Sequence, residues 1–144
     1  MKLVSDIFKR KGSLNISVSS DTNIFQALKI MSDHNIGSVI IMDSNAYLGL
    51  FTERDYARKV ILHGKNSSDL TVIEIMSGYL PRIELSTTLE QCMEIMTSHN
   101  IRYLPVFEAE QFIGVISIID VVKETISQQQ DTIENLQNYI YFAG

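Results

Sequence analysis

Residues 22–55 lie over residues 87–120 without a gap, at a constant offset of 65 residues. Thr22/Thr87, Gln26/Gln91, Ile30/Ile95, Met31/Met96, His34/His99, Asn35/Asn100, Ile36/Ile101, Gly49/Gly114 and Asp55/Asp120 are identical pairs, and most remaining pairs match apolar with apolar. A chain that repeats itself in this way must build one fold twice. The repeat is too long, and occurs too few times, for a solenoid or propeller unit. The reading is therefore one domain made of two half-domains related by a pseudo-twofold axis. At 144 residues the halves are expected to need each other, because a unit of roughly 60 residues buries little of its own surface.

Composition excludes several classes. The apolar fraction of 45% is ordinary for a globular protein, and apolar runs such as Val39–Met42 are far too short to span a bilayer. No membrane helix is expected. Met1–Gly12 carries Lys2, Lys9, Arg10 and Lys11 but no apolar stretch, so it does not read as a secretory signal. A single cysteine excludes an intramolecular disulfide, and a reducing, cytoplasmic home is the expectation. The formal charge of −5, from 12 basic and 17 acidic residues, disfavours a nucleic-acid binder, which needs a basic surface to displace counterions from phosphates.

Periodicity gives the elements. Ile24, Ala27, Leu28 and Met31 recur at helical spacing, as do Leu89, Cys92, Met93 and Met96 in the second copy. Asn23 with Gln26, and Thr88 with Gln91, read as reciprocal caps at the starts of these helices. His34-Asn35 and His99-Asn100 close them with a potential cation and a residue tolerant of left-handed backbone. Strands follow at Ser38–Met42 and Tyr47–Phe51, and again at Tyr103–Phe107 and Phe112–Ile116, each pair forming a hairpin. A second helix is expected from Glu53 to about His63, and from Ile118 onward. Short strands at Asn15–Val18 and Arg82–Leu85 complete the pattern, so each copy reads βαββα. The Ser/Asn-rich segment Gly64–Asp69 reads as the connector. The expected boundaries are 1–66 for the first repeat with its N-terminal segment, 67–128 for the second, and 129–144 for a helical tail. In that tail Val122, Ile126, Ile133, Leu136, Ile140 and Ala143 keep a three-four spacing interrupted by Gln129. It either folds back on its own domain or docks on a second subunit.

The chemistry concentrates where each hairpin meets its second helix. Gly49-Leu50-Phe51-Thr52-Glu53-Arg54-Asp55 and Gly114-Val115-Ile116-Ser117-Ile118-Ile119-Asp120 share one design: glycine, two apolar residues, a hydroxyl, two variable positions and aspartate. A hydroxyl with an acid three residues later is a capping box that any strand-to-helix junction uses. Its recurrence at the same point of both copies also admits a ligand. A helix start welcomes an anion, a hydroxyl donates to phosphate oxygen, and a carboxylate one turn in accepts hydrogen bonds from a ribose diol.

With these motifs, with Asn35-Ile36-Gly37-Ser38-Val39 entering the first hairpin and Arg102-Tyr103-Leu104-Pro105-Val106 in the second, the chain resembles the paired CBS domains, or Bateman module, over nearly its whole length. The resemblance implies a mixed α/β (α+β) fold of two βαββα repeats packed sheet to sheet, with a long C-terminal helix here. It also implies two clefts for adenosine ligands such as AMP, ADP, ATP, NAD or S-adenosylmethionine, often within a homodimer. Carried over, Asp55 and Asp120 become ribose-diol acceptors, with hydroxyls from Thr52 and Ser117. Backbone groups of Val39 and Leu104 become adenine contacts, and Arg54, Arg58 and Arg102 become phosphate ligands. The copies diverge in two places. Ile118-Ile119 replace Glu53-Arg54, so the second copy's helix start lacks the guanidinium, and Pro105 replaces Ile40, so the two adenine pockets differ.

Other roles find less support. His34 and His99 have no ligand partners at metal spacing, and no metal is expected. Cys92 lies on a core stripe and reads as an inert thiol. No catalytic residue and no catalytic cofactor are expected, because neither a nucleophile constellation nor a phosphate-binding P-loop is present. Lys9-Arg10-Lys11, Lys59 and Lys65 read either as a solvated face or as cations reaching a polyphosphate or a nucleic acid. The expectation is a stand-alone, non-catalytic sensor of adenine nucleotides acting on an unidentified regulated protein. The alternative is a dimerisation module with vestigial clefts.

Overall fold

The computed structural model describes residues 1–12 and 15–143. In order these form α1 (Val4–Lys11), β1 (Ser17–Val18), α2 (Ile24–His34), β2 (Ser38–Asp43), β3 (Ala46–Thr52), α3 (Glu53–Lys59), a 3-10 turn (Ile61–His63), α4 (Val72–Ile75), β4 (Ile83–Glu84), α5 (Leu89–His99), β5 (Tyr103–Glu108), β6 (Gln111–Ser117) and α6 (Ile118–Ala143). The strands make two three-stranded sheets, ordered β1-β2-β3 and β4-β5-β6. In each, the short first strand is parallel to the second, and the second and third form an antiparallel hairpin. The mixed α/β class, the two sheets and the long C-terminal helix are those expected.

Equivalent residues adopt equivalent geometry. Asn35 and Asn100 sit at φ 52° and 53°, the left-handed closures of α2 and α5. His34 and His99 each turn Nδ1 onto the carbonyl four residues earlier, at 3.0 Å in both cases. The hairpin turns Ser44-Asn45 and Ala109-Glu110 both hold two positive φ angles, the condition that matches a two-residue turn to the twist of its strands. At the helix starts the copies part slightly. Thr88 and Gln91 complete a reciprocal box on α5, whereas on α2 only the Asn23 half is formed, accepting from Gln26 N at 2.8 Å.

The chain divides into two compact units, Asn15–Leu80 and Met1–Leu14 with Pro81–Gly144. This departs from the expected boundaries at two segments. The N-terminal segment, expected with the first copy, packs on the second: Val4 and Ile7 are fully buried among Leu89, Met96, Leu104 and Val121. The segment around α4, expected with the second copy, packs on the first: Val72 and Ile75 join Ile24, Met31 and Phe51. The two exchanged segments make the same bonds. Val4 N donates to Thr87 O and Leu89 N to Lys2 O, while Val72 N donates to Thr22 O and Ile24 N to Leu70 O. Asp6 accepts from Leu3 N and Glu74 from Thr71 N. Covering the exposed flank of each first helix with two apolar side chains is the physical reason for the exchange, since a buried Ile or Val contributes about 1.5–3 kcal/mol.

Candidate functional site

The paired motif places Asp55 and Asp120 one turn into α3 and α6, where strand passes directly into helix. Glu53 N donates to Gly37 O and Ile118 N to Arg102 O, so the start of each helix is tied to the entry of the preceding hairpin. Each aspartate closes a capping box. Thr52 N and Oγ1 donate to Asp55 Oδ2 while Asp55 N donates to Thr52 Oγ1, all at 3.0 Å. Ser117 N donates to Asp120 Oδ2 at 2.8 Å, and Asp120 N donates to Ser117 Oγ at 3.1 Å.

Beyond the caps the two carboxylates differ. Asp55 Oδ1 accepts from Ser77 Oγ at 2.8 Å and lies 2.9 Å from Lys59 Nζ. With two bonds on each oxygen, the acceptor capacity of an ionised carboxylate is filled. Its side chain is 7% exposed. Lys59 is itself held by the carbonyls of Ile75 and Met76. Ser77 belongs to the exchanged segment, which is pinned to β3 by two backbone bonds with Leu50. Gly49 makes that approach possible, because a Cβ there would stand 2.7 Å from Ser77 O.

Asp120 is the more open. Its Oδ2 meets Lys11 Nζ at 2.9 Å, and among the described residues nothing donates to Oδ1. Its side chain is 19% exposed. The cations come from α1: Lys11 also donates to Val115 O, and Arg10 reaches both Asp120 O and the buried carboxylate of Glu124. Glu124, paired as well with Lys2 at 3.5 Å, occupies the position equivalent to Lys59. The helix start of the second copy has no guanidinium of its own, since Ile118-Ile119 stand there. Arg10 arrives from the N-terminal segment in place of one at position 119.

The remaining expected residues are spread more widely. Arg58 and Arg102 are exposed and Arg54 half-buried, each within a few residues of its own strand-helix junction. Val39 and Leu104 are fully buried and lie opposite Phe51 and Ile116 in the ladders. Because antiparallel backbone groups alternate in direction, the pairing of Gly37 with Glu53 turns the amide groups of Val39 toward β3. Groups turned the other way belong to the neighbouring residues, as in Ile40 N donating to Ile16 O. Pro105 stands at the equivalent of Ile40 and has no N–H for this bond, which is how a central strand accommodates proline next to so short a neighbour.

Sequence reasoning did not pair Ser77 or Lys59 with Asp55, Lys11 with Asp120, or Arg10 with Glu124. One was readable: Lys59 is four residues beyond Asp55 on the same helix. Ser77, Lys11 and Arg10 come from remote segments, whereas Glu124 lies on α6 itself, four residues beyond Asp120. Among the described residues no group of three or more His, Cys, Asp or Glu is placed to hold a metal ion, and no helix is long and apolar enough to cross a membrane.

Comparison with known proteins gives a consistent picture. The family model described as CBS domain matches twice, at residues 4–62 and 72–127. The mitochondrial CBS domain-containing protein CBSX3 of Arabidopsis thaliana is 32% identical over 95% of the chain and 71% of its own length. A solved protein with CBS domains from Burkholderia ambifaria is 37% identical with a TM-score of 0.84, covering 89% of this chain and 96% of that one. The CBS domain pair of protein MJ0100, solved in complex with 5′-methylthioadenosine and S-adenosyl-L-methionine, is 25% identical with a TM-score of 0.73, over 86% of this chain and 99% of that one.

Proposed function

For a chain that belongs to the CBS domain family, we propose the function of a non-catalytic regulatory module that binds an adenine nucleotide and signals to a partner protein. The observation that carries this reading is the Asp120 carboxylate, half-buried at a helix start with one oxygen open and the cations of Lys11 and Arg10 beside it. The open oxygen is suited to a ribose diol, and the ammonium and guanidinium to phosphate. That a relative of the same fold was solved with two adenosine-type ligands supports the ligand class. AMP, ATP, NAD and S-adenosylmethionine share the adenosine part. The cations beside Asp120 favour the phosphorylated ones over the sulfonium.

Signalling follows from who holds the cations. Lys11 and Arg10 tie α1 to α6 through Asp120 and Glu124. A phosphate that draws Lys11 away from Asp120 loosens this tie, and a ligand shifts the conformational equilibrium by its difference in affinity for the tied and untied states. The regulated partner reads the change on α6 or α1.

A second reading has its own observation. Asp55 is saturated by Thr52, Ser77 and Lys59, which suits a vestigial first site within a structural homodimerisation or protein-interaction module. The test is thermal melting of the native chain with AMP, ATP, NAD and S-adenosylmethionine, alongside Asp55→Ala, Asp120→Ala and Lys11→Ala. The expected result is a rise in Tm with a phosphorylated nucleotide that is lost in Asp120→Ala and reduced in Lys11→Ala. A native Tm indifferent to all four ligands favours the second reading.

A further inference from the structure

The last helix is longer than its unit needs. α6 runs for 26 residues, yet its buried side chains, Val121 and Glu124, lie in its first two turns, and every residue from 129 to 140 is exposed. A solitary helical stretch of this length is marginal in water. Its apolar residues are nevertheless ordered. Ile119, Ile126, Ile133 and Ile140 repeat every seven residues, and Val122, Gln129 and Leu136 repeat at the same interval three residues later. The six apolar members are between 44% and 72% exposed. The stripe extends for about 32 Å along the helix at the usual rise per residue. A strict seven-residue repeat drifts around a straight helix, and it stays on one face only where two helices wind about each other.

The residues on the stripe and beside it say which helix that is. Isoleucine at every first position is what parallel two-stranded coils favour there, Leu136 at a second position agrees with it, and one polar layer fixes the register of such coils. Gln129 provides that layer when it faces its own copy, amide to amide. The positions flanking the stripe, residues 123, 125, 130, 132, 137 and 139, carry a single charge, that of Lys123. The acidic residues Glu124, Asp131 and Glu134 fall on the outer side, where Lys2 pairs with the first two. Two identical helices thus meet without like-charge repulsion, whereas a strongly basic or acidic partner helix finds no counter-charges beside the seam.

We infer that α6 pairs with α6 of a second copy of this chain in a parallel, in-register coiled coil centred on Gln129. This goes beyond the nucleotide reading and does not depend on it. The test is light scattering on the full chain at micromolar concentration, with Ile133→Asp, Ile133→Leu and Leu136→Cys. The expected mass is that of two chains for the native protein and for Ile133→Leu, and of one chain for Ile133→Asp. Leu136→Cys forms an interchain disulfide under mild oxidation, while the native chain, whose one thiol is buried, does not. A monomeric native chain, or a dimer that survives Ile133→Asp, overturns the coiled coil. A dimer in which Leu136→Cys fails to cross-link overturns the parallel pairing, because antiparallel helices centred near Gln129 hold the two cysteines about 20 Å apart along the axis. Retained nucleotide binding by monomeric Ile133→Asp separates this result from any failure of the nucleotide site.

Discussion

Asp55 and Asp120 are the same residue in sequence and different residues in chemistry. Both cap a helix, and loss of a cap costs about 0.5–2 kcal/mol. Asp55→Ala also strands the Ser77 hydroxyl and removes the anion facing Lys59, whereas Asp120→Ala leaves Lys11 near solvent. Urea denaturation is expected to show the larger loss for Asp55→Ala, and equal losses contradict the difference in saturation. Cys92 provides a second check at this scale. Burial pushes its thiol up to about 11 from an ordinary 9.0, so it stays protonated in the folded chain at mildly alkaline pH. A raised thiol contributes stability that is whole below its unfolded value and declines as pH rises from about 9 to about 11. Cys92 is therefore expected to resist iodoacetamide at pH ~8 unless the chain unfolds, since the thiolate is the nucleophile. Rapid labelling of the native protein contradicts this.

Among the elements, those that repeat were legible and those that pack remotely were not. The helices at residues 24 and 89 announced themselves by apolar spacing, caps and closing asparagines, and the hairpins by short apolar strands on either side of a polar turn. The helix from Glu53 ended early, at Lys59, before a 3-10 turn. α1 and α4 were missed because each offers two buried apolar residues over 8 and 4 residues respectively, too few to define a period. Their exchange was invisible for a further reason. Leu3-Val4-x-Asp6-Ile7 and Thr71-Val72-x-Glu74-Ile75 are equivalent, but they lie outside the stretch where the copies align at the common offset. The candidate site shared this limit. Its aspartates stood in the motif, while Lys11 and Ser77, which distinguish them, come from the exchanged segments. Ile7→Ala tests the exchange: it removes a fully buried side chain and is expected to cost about 2–5 kcal/mol. Hydrogen exchange is expected to show the loss in α5 and β5. Loss in α2 and β2 instead contradicts the assignment of α1 to the second copy.

For the molecule as a whole, one duplication has yielded two unequal strand-helix junctions. The first copy has built its aspartate into the fold. The second has brought up cations from the N-terminal helix and left a carboxylate oxygen open, on the helix that continues into an exposed apolar seam. The most direct measurement of this asymmetry is the stoichiometry of nucleotide binding by isothermal titration calorimetry, using AMP and ATP with the native chain, Asp55→Ala and Asp120→Ala. One nucleotide per chain is predicted, abolished by Asp120→Ala and retained by Asp55→Ala under conditions where that variant is folded. Two equal sites per chain, or heat that survives Asp120→Ala, contradicts it.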